Sequence, residues 1–329
     1  MQNCLFIFPG QGAQYAGMGS DLFKEYSLVR QTYEEASDVL GYDIANISFD
    51  DNEEKLLLTR YTQPALLTHS VSCLRVLLRR AGGLCQAVSA AGHSLGEYSA
   101  LVASDCLTFS TALDLVRYRA ELMAAFGNGE MEALPISREK AELLATKHYC
   151  GIAACNMPEQ TVVGGLPDDL ENLLYDLREL SPKKSSIRLK TEGAFHTYFM
   201  VEAAIRFRPF LEAAQFNQPS INVLSNFSGT FHEPQGNAIR TKLFLQLFHP
   251  VLWYDNMSQA LLSKVSNVIE FGGGVGKGTH PNDKKPNLAS ITKRILRSNN
   301  NPSRYHAVIN LKTLEETMET LEQTEKNLH

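Results

Sequence analysis

The chain has 329 residues, with 31 Lys and Arg against 36 Asp and Glu, a net charge of −5, and 44% hydrophobic and 20% charged side chains; its pI is near 6.0. That balance is ordinary for a water-soluble globular protein and argues against a nucleic-acid binder, which would be strongly basic. No apolar run reaches the length of a membrane span, and Met1 to Leu5 lack the basic and long apolar regions of a secretory signal.

The first segment, Leu5-Phe6-Ile7-Phe8, reads as a buried strand, followed by the loop Pro9-Gly10-Gln11-Gly12-Ala13-Gln14. Helical patterns follow around residues 21–40 and 63–80. Ala87 to Ala91 is short, small and mostly apolar, as a buried strand would be. Gly92-His93-Ser94-Leu95-Gly96 comes next, and a helix start is predicted over 95–103. The Gly-x-Ser-x-Gly spacing builds a sharp strand-to-helix turn with the serine at its tip. There Ser94 is placed to act as a nucleophile; the plain alternative is a chance Gly-Ser turn. A further helix is predicted over 110–126.

Residues 128–194 differ in character. Met131 to Ile136 reads as a strand, and 138–147 as a helix capped by Ser137. Strands at 151–154 and 161–163 flank a turn at Asn156-Met157-Pro158. A helix over 167–180 and a strand at 186–190 complete a βαββαβ order, which is ferredoxin-like. The larger alternation resumes after Phe195, with strands at 221–225, 267–271 and 305–311. A charged, weakly amphipathic helix over 312–327 reads as a solvated terminal element. The six cysteines (Cys4, Cys73, Cys85, Cys106, Cys150, Cys155) form no Cys-x-x-Cys pair. They read as reduced core residues of a cytoplasmic protein, and no metal site is expected.

A serine nucleophile needs a base, and histidine is the usual one. Among nine histidines, His93 adjoins Ser94 and points away in a sharp elbow, so it flanks the pocket. His69 and His148 read as packing or surface residues. His196 follows Gly193-Ala194-Phe195 at the junction of the two units, where a cleft would form. On the helix over 110–126, Arg119 shares the apolar face with Leu115, Leu122 and Met123, whereas Arg117 lies with Asp114 and Glu121. A core-facing arginine needs a carboxylate, supplied either by a substrate or by a structural salt bridge.

The motifs together resemble the malonyl-CoA:acyl-carrier-protein transacylases, especially the free-standing acyltransferases of polyketide assembly lines. Those motifs are Phe8-Pro9-Gly10-Gln11-Gly12, Thr62-Gln63-Pro64-Ala65, Gly92-His93-Ser94-Leu95-Gly96-Glu97, Ala153 to Gln160 around Asn156, and Gly193-Ala194-Phe195-His196. They run in family order and nearly family spacing. The resemblance implies an α/β fold: an α/β-hydrolase-like large subdomain (1–127 and 195–329) with an inserted ferredoxin-like small subdomain (128–194).

It also implies that Ser94 attacks the acyl thioester and that His196 takes its proton. The oxyanion would be held by the backbone N–H groups of Gln11 and Leu95, each contributing about 3 kcal/mol. Arg119 would grip the malonyl carboxylate, with His93, Gln63, Phe195 and Asn156 on the substrate side. No aspartate for a full triad is evident. A backbone carbonyl is expected to orient His196, within Pro250-Val251-Leu252-Trp253. Phe195 would narrow the pocket toward malonyl rather than methylmalonyl. No bound cofactor is implied; malonyl-CoA is the donor, and the partner is an acyl carrier protein bearing phosphopantetheine. The family suggests a monomer.

Two segments depart from the family pattern. Gly272-Gly273-Gly274-Val275-Gly276-Lys277-Gly278, continuing to Pro286, replaces the usual Gly-Pro-Gly-Lys turn. It is not a phosphate-binding P-loop, because Phe271 and Gly278 occupy required positions. It reads as an exposed loop, with Lys284 and Lys285 either solvated or facing an acidic carrier or CoA phosphates. Met131-Glu132-Ala133 also departs, near the pocket wall. Two rivals stand beside the transferase: an acyl hydrolase of the same fold, and a silent docking module. Arg119 argues against the hydrolase, which gains nothing from a buried cation when its chains are monocarboxylic.

Overall fold

A computed structural model describes residues 2–326. The chain opens with β1 (Gln2–Phe8), then α1 (Ser20–Glu25), α2 (Ser27–Leu40), α3 (Ile44–Phe49) and α4 (Thr59–Ala81). β2 (Cys85–Gly92), α5 (Gly96–Ala103) and α6 (Phe109–Phe126) follow. The middle runs β3 (Glu130–Leu134), α7 (Arg138–Lys147), β4 (Gly151–Met157), β5 (Gln160–Gly165), α8 (Pro167–Leu180) and β6 (Ile187–Leu189). The remainder is α9 (Val201–Ala213), β7 (Asn222–Val223), α10 (Gly236–Gln246), α11 (Trp253–Ala260), β8 (Asn267–Phe271), α12 (Ala289–Ser298), β9 (Arg304–Val308) and α13 (Leu311–Lys326).

Cys4 to Phe8 are all buried, because β1 is the central strand of a parallel sheet ordered β7-β2-β1-β8-β9. A strand covered on both faces tolerates only apolar side chains, which is why the run does not alternate. Phe8 stands opposite Gly92 in the β1–β2 register. The turns after these two strands therefore leave the same carboxyl edge, where open α/β sheets hold their ligands. One of these turns carries Gln11 and the other Ser94.

The second sheet is antiparallel, in the order β4-β5-β3-β6. α7 and α8 cover it with a core of their own, including Leu134, Leu144, Leu170, Leu173 and Leu177. On α8 the three leucines recur at spacings of three and four, so they line one face. Each contributes about 1.5–3 kcal/mol on burial. This is the ferredoxin-like order expected from the sequence. Val251, beyond α10, joins the open edge of β4: its N–H donates to Ala153 O at 2.9 Å, and its C=O accepts from Cys155 N at 2.8 Å.

Several expectations are corrected. The helix expected over 21–40 is two, because Tyr26 is extended (φ −111°, ψ 121°) between α1 and α2. Asn156 lies within β4, not in the turn, which falls at Pro158-Glu159. Ser137 stands at the α7 N-cap position, but its side chain makes no capping bond. α13 buries Leu314, Thr317, Met318 and Leu321, so it is packed rather than solvated; its expected last residue, Asn327, lies outside the described residues.

The loop expected to be exposed begins buried. Gly272 and Gly273 have φ of 81° and 66°. A Cβ at Gly272 would fall 2.4 Å from Ser70 Oγ, and one at Gly273 2.6 Å from Ala13 Cβ. Val275 then pairs with Lys285. Lys284 donates to Gly276 O at 2.9 Å and sits over the Tyr15 ring, so it is engaged within the fold. Lys285 is exposed.

Candidate active site

Ser94 sits at the elbow between β2 and α5 with φ 53°, a left-handed conformation that a non-glycine residue adopts only under constraint. The constraint is visible in its neighbours. A Cβ on Gly92 would lie 1.8 Å from Gly96 C, and one on Gly96 would lie 2.2 Å from Phe8 O. Both positions therefore require glycine. The Ser94 N–H donates to Asn226 Oδ1 at 2.6 Å, and Ser94 O accepts from Gln246 Nε2 at 3.0 Å.

His196 also has a positive φ, 63°. Its Nε2 lies 2.7 Å from Ser94 Oγ, and its Nδ1 lies 2.7 Å from Gln246 O. A carbonyl oxygen only accepts, so Nδ1 carries the hydrogen and Nε2 is left to accept from the serine hydroxyl. Burial, then the Arg119 charge, push the His196 pKa down to about 3 from 6.5. The imidazole is thus neutral at rest, as a base must be.

The acceptor corrects the expectation that it lies within Pro250-Val251-Leu252-Trp253. Gln246 ends α10, where the last carbonyls have no intrahelical partner, and one of them is free to face His196. Val251 instead uses its backbone groups on β4.

Arg119 is fully buried. Nη1 donates to Gln63 Oε1 at 2.6 Å. Nη2 donates to Gln246 Oε1 at 3.1 Å and to Ser94 Oγ at 3.1 Å. Nε has no partner among the described residues. The structural salt bridge left open by the sequence is not found: among the described residues no carboxylate pairs with Arg119. Burial holds its pKa below the ordinary arginine value. A buried guanidinium held by two amide oxygens and a hydroxyl, with no carboxylate partner among the described residues, keeps capacity to pair with an anion.

Gln11 Nε2 donates to Thr59 Oγ1 at 3.0 Å. Among the described residues neither the Gln11 nor the Leu95 N–H is engaged by a protein acceptor. His93 Nε2 lies 2.9 Å from Asn156 Oδ1, and its ring is 5.5 Å from that of Trp253. The pair bridges the two sheets at the elbow. Phe195 is buried, with its ring edge 3.5 Å from the Cβ position of Gly127. His69 is a core residue whose Nε2 contacts Ile309 O at 3.1 Å, and His148 pairs with Asp176 at 2.7 Å.

Sequence reasoning missed Gln246, which touches Ser94, His196 and Arg119 at once. Its one signal was a lone polar residue inside Leu243-Phe244-Leu245-Gln246-Leu247-Phe248. It also missed Asn226, which clamps Ser94 N and Gly92 O.

The chain belongs to the acyl transferase domain family, whose description matches residues 5–243. Among curated relatives it is 35% identical over 274 residues to the polyketide biosynthesis malonyl CoA-acyl carrier protein transacylase PksC of Bacillus subtilis, covering 82% of this chain and 92% of that protein. It is 36% identical over 304 residues to the malonyl CoA-acyl carrier protein transacylase of Haemophilus influenzae, covering 90% and 93%. Of solved structures, MCAT from Streptococcus pneumoniae superposes with TM-score 0.85 at 32% identity, covering 96% and 99%. A malonyl-transacylase in complex with a type II PKS acyl-carrier protein gives TM-score 0.85 at 31% identity, covering 97% and 100%.

Proposed function

We propose that the chain is a malonyl-CoA:acyl-carrier-protein S-malonyltransferase of polyketide or fatty-acid synthesis, working through an acyl-Ser94 intermediate. The observation that carries this reading is Ser94 Oγ held between His196 Nε2 at 2.7 Å and the carboxylate-free Arg119 Nη2 at 3.1 Å. The polyketide transacylases among its relatives favour polyketide synthesis.

The reaction follows from the tautomer. As Ser94 Oγ bonds to the thioester carbon, its proton passes to His196 Nε2. The oxyanion that forms is held by the N–H groups of Gln11 and Leu95. Collapse breaks the C–S bond, and the CoA sulfur takes the proton from His196. In the second half the carrier's phosphopantetheine thiol gives its proton to the same nitrogen and attacks the acyl carbon, and Ser94 leaves with that proton. Throughout, Arg119 holds the distal carboxylate, aided by Gln63, while His93, Asn156 and Phe195 bound the acyl cavity. No metal takes part in this reading.

The chain divides into a large unit, 1–127 and 195–329, carrying Ser94 and Arg119, and an inserted unit, 128–194. The separate core beneath α7 and α8 supports that division. Six buried cysteines without a disulfide support a reducing cytoplasm.

The test is intact-mass spectrometry after incubation with malonyl-CoA. Wild type gains one malonyl group and loses it to holo-carrier protein; Ser94→Ala gains none. Labelling that persists in Ser94→Ala refutes the nucleophile, and rapid loss of the group without carrier refutes transfer in favour of hydrolysis.

A further inference from the structure

Glu97 is the one residue of the elbow motif that the reaction above leaves without a task. It lies in the first turn of α5, three residues after Ser94, and is fully buried. Its Oε1 accepts from His232 Nε2 at 2.7 Å. Its Oε2 accepts from Gln246 Nε2 at 2.8 Å and from the Asn226 N–H at 3.0 Å. Gln246 Nε2 and the Asn226 N–H can only donate, and the His232 ring donates to Oε1 in the tautomer with its hydrogen on Nε2. His232 is itself buried, and its Nδ1 has no partner among the described residues. The imidazole therefore holds its hydrogen on Nε2 and points it at Glu97.

The two residues that Glu97 holds, Gln246 by its side chain and Asn226 by its backbone N–H, are the ones that hold the reacting groups. Asn226 Oδ1 accepts from Ser94 N, and its Nδ2 donates to Gly92 O at 2.7 Å, fixing the strained elbow. Gln246 donates to Ser94 O, accepts from Arg119 Nη2, and presents its carbonyl to His196 Nδ1. An amide side chain can rotate to exchange its oxygen and nitrogen. An anion beside Gln246 Nε2 fixes that choice, so Oε1 must face Arg119. The same carboxylate anchors the backbone of Asn226, from which that side chain reaches Ser94 and Gly92.

We infer that Glu97, secured by His232, is a positioning residue: through Gln246 and Asn226 it aims His196, Ser94 and Arg119. Among the described residues no carboxylate touches His196, and Glu97 reaches it only through the side chain of Gln246, whose backbone carbonyl meets Nδ1. The inference rests on the acyl-Ser94 reading proposed above.

The test is a double-mutant cycle on the pre-steady-state rate of Ser94 acylation, measured with malonyl-CoA and with acetyl-CoA. Glu97→Gln keeps the shape but turns a donor toward donors. Misplacement of reacting groups by about 1 Å lowers rates on the order of 100-fold. Glu97→Gln should lose about that much with both acyl groups while KM changes little, and Gln246→Ala should lose a comparable amount. The double variant should lose less than the product of the two single losses, because Glu97 acts in part through Gln246. Losses that multiply, a loss confined to malonyl, or a wild-type rate in Glu97→Gln would each overturn the inference. If Glu97→Gln does not fold, His232→Leu takes its place in the cycle with the same expectations. Ser94→Ala separates the two levels. If it still acquires the acyl group, the underlying reading fails. If it is silent while Glu97→Gln is as fast as wild type, only the positioning role fails.

Discussion

Replacing Arg119 with alanine separates the grip on the acyl carboxylate from the chemistry at Ser94. The side chain is fully buried and donates to Gln63 Oε1, Gln246 Oε1 and Ser94 Oγ. A malonyl carboxylate would meet a desolvated guanidinium. Removing one partner of such a pair costs about 2–5 kcal/mol, or about 30- to 4000-fold in kcat/KM. Acetyl carries no carboxylate, so with it the loss is limited to the 3.1 Å bond to Ser94 Oγ, about 1 kcal/mol or under tenfold. The malonyl-to-acetyl preference should therefore collapse, which single-turnover acylation with each CoA ester measures directly. The thermal midpoint, followed in parallel, reports the oxygens left unpaired on Gln63 and Gln246. Equal losses for malonyl and acetyl would refute the reasoning, since Arg119 would then serve the serine or the fold.

Phe195→Ser opens the buried ring position and should raise methylmalonyl relative to malonyl transfer by about tenfold, one methyl group being worth about 1–3 kcal/mol; an unchanged ratio in competition assays would remove Phe195 from the pocket wall. Gly92→Ala and Gly96→Ala place a Cβ 1.8 and 2.2 Å from backbone atoms, so both should fail to reach a cooperative thermal transition, and a wild-type midpoint for either would contradict the elbow packing. In its pH dependence, kcat/KM should stay level from pH 8 down to about 5, because His196 remains neutral until about pH 3. His196, His69 and His306 bind protons more weakly folded than unfolded, with pKa values of about 3, 4 and 4. Their contribution to stability is complete above about pH 6.5 and is lost on acidification toward these values. Glu270 is opposite in sign, raised by burial to about 7, so it destabilises as pH rises from 4.5 to 7. Three groups outweigh one, and the thermal midpoint should fall between pH 6.5 and 4; a midpoint that rises would refute the balance.

The parts of the candidate site legible in the sequence were those whose proposed chemistry needs a particular side chain. Ser94 was marked by its glycines, His196 by its junction, and Arg119 by the apolar face it shares with Leu115 and Met123. The His196 acceptor was misplaced because any residue can supply a carbonyl; only the end of α10 singles out Gln246. Asn226 and the buried support of Glu97 come from residues more than 120 positions apart, and no local pattern links them. The buried start of the 272–286 loop was missed for a related reason. Glycines without side chains leave no apolar signature, although their φ and the contacts with Ser70 and Ala13 require them.

Val251 has a consequence for remodelling this protein. β4 is an edge strand, and an open edge invites pairing with other chains; Val251, from the segment after α10, covers it. Gln246 lies five residues before that clip and Asn156 one residue after Cys155, so the seam runs close to both the His196 acceptor and the His93 partner. Peeling the small sheet away would withdraw the His93 partner and disturb the His196 acceptor in one event. Hydrogen exchange at the Val251 and Cys155 amides is therefore a gauge of active-site integrity. A graft of the small sheet from another acyltransferase, made to change acyl choice, has to carry its half of the seam.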